Sequence, residues 1–152
     1  MTATEPLATG TSLRLDGRRA GTEPLADPDA LERLLHDLAD RLEPDEDTGR
    51  RVDARLEEAD GTSHVVLLDE AWLIVHAFPE TGAFAFSAFS RHAISDGALL
   101  DAVRAALRTG RFDSSVGRRA AGLPQGVSAL RRRLGGERAW ARVRLAPLSD
   151  LD

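Results

Sequence analysis

His64 and His76 stand on two apolar runs that meet at the short polar break Asp69-Glu70-Ala71. A hairpin turning at that break sets the two imidazoles roughly opposite each other, where two ring nitrogens can share a metal ion. No third ligand stands at a helpful spacing, so no metal site is expected. Ser63 opens the first run and reads as a strand-start hydroxyl, while Glu80 follows Pro79 in a turn. Trp72, Phe78, Phe84 and Phe86 suit core or interface aromatics, with a ligand-stacking platform as the functional alternative. The 152 residues include no Cys, which removes thiolate nucleophiles, thiolate metal sites and disulfides. No Gly-rich phosphate loop or Ser/His/Asp nucleophile pattern is present.

The elements that must hold these residues follow from the hydrophobic pattern. Ser12–Asp16 alternates and predicts a first strand, and Gly21–Asp27 predicts a loop. Asp27-Pro28 is a helix start, with a capping carboxylate and a proline whose missing N–H does no harm. Leu31, Leu34, Leu35, Leu38 and Leu42 then form one stripe at three- and four-residue spacing, ending near Glu43-Pro44. Pro44–Gly49 is an acidic loop, and Arg51–Glu57 alternates as a second strand. Thr62–Phe89 supplies three apolar runs separated by Asp69-Glu70-Ala71 and Pro79–Gly82, which predicts a β-meander at the centre of the sheet. Ser95-Asp96-Gly97 caps a second helix carrying Leu99, Leu100, Val103, Ala106 and Leu107, closed by Thr109-Gly110. Arg111–Arg118 predicts another strand. A short basic helix over Val127–Leu134 and a last strand over Ala139–Leu145 complete the chain.

This order predicts an α+β fold, a two-layer α/β sandwich with a mostly antiparallel sheet and two helices on one face. Residues 1–10 form a frayed tail, 11–120 the domain, and 121–152 a C-terminal appendage packed on it. Val65–Leu68 and Leu73–Val75 are apolar on both alternating faces, so both faces of the central strands want cover. A second copy of the sheet is the first expectation, giving a homodimer through that face; the folded-back appendage is the competing cover.

Composition narrows the function classes. Net charge is −5 and pI about 5.4, which argues against general nucleic-acid binding. All 20 basic residues are Arg, as a GC-rich genome would give. Arg131-Arg132-Arg133, with Arg118 and Arg119, reads as a solvated face because no aromatics interleave with the arginines. Met1–Pro6 carries no basic start leading into an apolar core, so no signal peptide is expected. No run approaches the roughly 18–20 apolar residues of a membrane span, and a cytoplasmic protein without membrane partners is expected.

The meander resembles the core of the prokaryotic S-adenosylmethionine decarboxylases, which make decarboxylated S-adenosylmethionine for spermidine synthesis. Their signature is an apolar strand, Glu-Ser-His, an apolar strand ending His-Thr-Trp-Pro-Glu, and a strand ending Phe-Thr-Cys-Gly. The corresponding runs here are Glu70-Ala71-Trp72, Val75-His76-Ala77-Phe78-Pro79-Glu80 and Phe89-Ser90-Arg91-His92. The resemblance extends to both helices and covers roughly residues 11–120. It implies a bacterial source and a pyruvoyl enzyme that makes its ketone from its own serine. The hydroxyl attacks the preceding carbonyl, the amide becomes an ester, and elimination cleaves the chain; the ketone then serves as electron sink for decarboxylation.

The resemblance also implies that this chemistry is lost. Position 71, which matches the pyruvoyl-forming serine, is alanine, so no pyruvoyl cofactor is expected and Glu70–Ala71 stays intact. Arg91 matches the catalytic cysteine, Trp72 the histidine after the serine, and Glu57 or a neighbour an adenine-stacking aromatic. Ser63 and His76 match the pair that assists self-processing, and Glu80 the motif glutamate. The expectation is a non-catalytic relative with a remnant site at Ser63, Glu70, Ala71, His76 and Arg91. His76, Glu80, Trp72 and Phe78 are its candidate ligand contacts. Its partners would be a small cationic or S-adenosylmethionine-like ligand, or an active decarboxylase. The alternative is an active decarboxylase working through another serine, Ser63 or Ser87.

Overall fold

The structure, a computed structural model, describes residues 9–42, 51–91, 96–109, 111–120 and 126–150. Of the expected tail at residues 1–10, residues 1–8 lie outside the described residues, as do the loop Pro44–Gly49 and the Ser95 cap, whereas Thr9 and Gly10 are not tail but the start of the first strand, paired with Ala120 and Arg119. Ten elements follow in the order β1 (Thr9–Arg18), α1 (Thr22–Ala26), α2 (Pro28–Leu42), β2 (Val52–Glu58), β3 (Gly61–Leu67), β4 (Ala71–Phe78), β5 (Ala83–Ser90), α3 (Asp96–Leu107), β6 (Arg111–Ala120) and α4 (Val127–Asp150). The strands form one antiparallel sheet in the order β2-β3-β4-β5-β1-β6.

The meander β2–β5 is the one the hydrophobic runs predict, and each turn has a local cause. Leu68 N–H donates to Ala71 O across the two-residue turn Asp69-Glu70 (2.8 Å). Gly61 opens β3 at φ +136°, and a Cβ there would stand 2.1 Å from Ala77 O, so only glycine fits. The N-terminal strand is inserted between β5 and β6, pairing Leu13 with Ala88 and Leu15 with Phe86.

On one face, α1, α2 and α3 bury their stripes against Leu13, Leu15, Val66, Leu73, Val75, Phe84 and Phe86. Each such large side chain contributes on the order of 1.5–3 kcal/mol by leaving water. The sheet and its helices thus make the expected sandwich. Two further local expectations are corrected. Gly21–Asp27 is not all loop, because residues 22–26 turn into α1 and bury Leu25. Ala139–Leu145 is not a strand, because it continues α4. Its period-two alternation competes with a helical stripe, Leu130, Leu134, Ala141 and Leu145, and the stripe has an apolar surface to meet.

That surface is the second face of the sheet. Leu130 and Leu134 of α4 pack on Ala54, Val65, Leu67, Trp72, Ile74 and Phe89. Ala141 and Leu145 pack on Phe78, Ala83 and Ala85. The appendage, not a second sheet, is therefore the cover that the apolar strands required, and α4 adds a third layer. A homodimer through this face loses its physical motive: a second copy could reach the sheet here only if α4 lifted away. Among the described residues no helix is long and apolar enough to cross a membrane.

Candidate functional site

Ser63 and His76 are direct partners in the β3–β4 register. Both side chains point toward α4, where Ser63 is 0% and His76 4% exposed. Ser63 Oγ lies 2.7 Å from His76 Nδ1. From α4 the guanidinium of Arg138, itself wholly buried, donates to Ser63 Oγ at 2.8 Å and to Ala77 O at 2.9 Å. It also donates to Asp60 Oδ1 at 2.9 Å, and its Nε stands 3.7 Å from Glu58 Oε1. The guanidinium carbon sits 4.2 Å above the Phe78 ring, a cation–π contact strengthened by exclusion of water.

Arginine can only donate, so Ser63 Oγ accepts from Arg138. The hydroxyl has a second lone pair and one hydrogen, so the Ser63–His76 bond forms with either tautomer of a neutral imidazole. Burial, followed by the charges of Arg138 and Arg144, pushes the His76 pKa down to about 3. Asp60 is held down to about 2, chiefly by its hydrogen bond from Arg142, with Arg138 adding to it. Arg142 grips Asp60 Oδ2 at 2.6 Å and Glu58 Oε1 at 2.8 Å. Farther along α4, Arg144 holds both carboxylate oxygens of Asp16 on β1, at 2.8 and 3.0 Å. The α4 arginines 138, 142 and 144 are thus intramolecular anchors; Arg131, Arg132 and Arg133 are exposed, with Arg131 donating to Arg55 O at 3.2 Å and Arg133 to Glu137 Oε1 at 3.3 Å.

The other expected site residues are dispersed. Ala71 is five residues up β4, about 17 Å from His76 at strand rise, and its methyl faces the α1–α3 core. Glu70 and Arg91 accompany it: Arg91 N–H donates to Glu70 O at 2.9 Å, and Arg91 is exposed. Trp72 stacks on Phe89 with ring centroids 5.9 Å apart and belongs to the core under α4. Phe78 reaches the Ser63–His76 pair only as the floor beneath Arg138. Glu80 is exposed in the β4–β5 turn. His64 does not face His76. The register pairs it with Val75 and turns its ring to the α2 face, where Glu32, His36 and Asp53 converge on it.

With this arrangement in hand, the relationship to known proteins can be read. The family model for S-adenosylmethionine decarboxylase matches residues 11–120. The chain belongs to the S-adenosylmethionine decarboxylase family. The crystal structure of the adenosylmethionine decarboxylase from Aquifex aeolicus VF5 is similar to it with a TM-score of 0.59 at 16% identity, covering 80% of this chain and 98% of that one. This likeness is one of fold. No curated protein matches the chain.

The family match ends before α4, so the group that dominates the Ser63–His76 site comes from outside the matched segment. Sequence reasoning missed Arg138, Asp60 and Glu58 as site residues. A signal for Arg138 exists: it falls between Leu134 and Ala141 on the apolar stripe of α4, where a charge demands buried partners. Asp60 is 78 residues away in sequence, and only the folded register joins the two.

Proposed function

We propose that this S-adenosylmethionine decarboxylase-family chain is non-catalytic and serves as a ligand-binding or regulatory protein of polyamine metabolism. The observation that carries this reading is Ala71. Making a pyruvoyl group requires a side-chain oxygen to attack the preceding carbonyl, and a methyl group has none. The residues present do not fit that prosthetic group. Arg91 supports the reading, because a guanidinium that never loses its proton is a poor acid for decarboxylation. So does Arg138, which fills the space over Ser63 and His76.

The chemistry of that space suggests the ligand. Two carboxylates, a carbonyl, a hydroxyl and an aromatic face form a cradle for a cation, and Arg138 is the cation seated in it. A polyamine, or the sulfonium of S-adenosylmethionine, would have to displace this side chain. The α4 helix then acts as an internal competitor that sets how much ligand is needed.

Intact mass under denaturing conditions tests the loss of self-cleavage: a single 16.4 kDa species is expected. Two fragments, one starting with a pyruvoyl group, would overturn it. The same measurement judges a second reading, favoured by the Ser63-to-His76 hydrogen bond, in which Ser63 is the processing serine; that cut would fall before residue 63. Thermal shift tests the binding half. Spermidine, putrescine, arginine or S-adenosylmethionine is expected to raise the melting temperature, and Arg138→Ala to respond at lower concentration than the parent. No shift in either protein removes the ligand from the reading.

A further inference from the structure

We infer that Glu32, His36, Asp53 and His64 form a binding site for one divalent transition-metal ion of the zinc class, pinning α2 to the β2–β3 hairpin. The site lies on the sheet face opposite Arg138 and is independent of the function proposed above. Glu32 and His36 are one turn apart on α2 and project together. Asp53 on β2 and His64 on β3 rise to meet them from the sheet.

One ligand atom from each residue lies within 4.8 Å of all the others. His36 Nε2 is 2.7 Å from Asp53 Oδ2. His64 Nε2 is 3.7 Å from the same oxygen and 3.8 Å from Glu32 Oε1. These last two gaps are too long for hydrogen bonds. They are near the spacing of about 3.3 Å between neighbouring ligands of a tetrahedral ion with bonds of 2.0–2.1 Å.

A second observation points to an ion. His64 is 1% exposed, yet neither ring nitrogen has a hydrogen-bond partner, and the buried Asp53 Oδ1 has none either. Buried polar atoms are almost always satisfied, because a bare one loses its hydration without replacement. A cation at the centre would take up the His64 Nε2 lone pair. The surrounding charge agrees. Arg51 pairs with Asp40, Arg55 with Asp29 and Glu32, and Asp53 has only histidines beside it, so two cations stand among four carboxylates, a deficit that one divalent ion cancels.

Loading the site requires one rearrangement. Arg51 now donates to His36 Nδ1 at 3.2 Å, so the ring proton sits on Nε2 and points at Asp53. On metal binding that proton moves to Nδ1, the Nε2 lone pair turns to the metal, and the partly exposed Arg51 swings aside. Two imidazoles favour a zinc-like ion over Mg2+ or Ca2+, which prefer all-oxygen shells. Four protein ligands leave no open position, which makes the role structural.

The test uses the tag-free full chain, stripped with a chelator and titrated calorimetrically with Zn2+ and, in parallel, Mg2+. One Zn2+ per chain and a raised melting temperature are expected, with no stoichiometric Mg2+ step. Groups that only hydrogen-bond to a metal's ligands are worth about 10–100-fold in affinity, so loss of a ligand itself should cost at least about 100-fold. His64→Leu, which keeps the buried volume apolar, and Glu32→Gln, at the half-exposed edge, should each show that loss while circular dichroism stays unchanged. If His64→Leu does not fold, Glu32→Gln decides alone. Zinc binding equal in parent and variant, or no stoichiometric zinc step in the parent, overturns the site.

Discussion

His76 holds a neutral imidazole in the fold down to about pH 3, whereas the unfolded chain takes up that proton near pH 6.5. Between those values the unfolded state binds more protons than the native one, so stability falls as pH falls. Each pH unit inside the window costs about 1.4 kcal/mol. Asp60 pulls in the same direction but only lower down, as pH drops from 3.8 toward its folded value of about 2. The interval from pH 6.5 to 4.5 therefore isolates His76 from Asp60. Urea unfolding across that interval should show the parent losing roughly 2–3 kcal/mol more than His76→Gln. Glutamine keeps an amide that can hydrogen-bond Ser63 in either sense but has nothing to titrate. Parallel profiles for the two proteins would mean that the imidazole does not stay neutral under Arg138.

Among the elements, α2 and the meander were legible because each has one clean period. Five leucines at helical spacing, or a run of Val, Ile and Phe between turn residues, leave little ambiguity. The helix α4 was not. Gly135-Gly136 interrupts its middle, at a cost of about 1 kcal/mol each against alanine, and Arg138 breaks its stripe, so no local rule predicts 24 residues of helix. Packing supplies what propensity lacks: Leu130, Leu134, Ala141 and Leu145 meet the apolar face of the sheet on both sides of the glycine pair. Site residues divide along the same line. Ser63 and His76 were found through a resemblance in local motifs, while Asp60 and the metal cluster depend on which residue faces which. Setting His64 rather than Ser63 across from His76 was an error of one residue in register, and a one-residue shift puts a side chain on the other side of the sheet. Deleting residues 126–152 tests what α4 does as an element. The truncated chain should expose Trp72, Ile74, Phe78 and Phe89 and elute as a dimer or larger species, whereas the full chain should not. A monomeric, soluble truncation would show that the sheet face needs no cover.

At the scale of the whole molecule, the sheet has two differently built sides. One is closed by α1, α2 and α3, which lie within the span shared with the S-adenosylmethionine decarboxylase family. The other is closed by a single helix from beyond that span, held by a dry apolar contact and by three arginines reaching Asp60, Glu58 and Asp16. Each side carries a cluster of polar residues between helix and strands, one around a buried cation supplied by the chain itself, the other around a buried histidine with no hydrogen-bond partner. The position of α4 in the chain also sets an order of events during synthesis. Domains assemble from the N-terminal end as they emerge, and every strand of the sheet is translated before Val127. Until α4 follows, the sheet therefore carries one oily side open to solvent or to a chaperone.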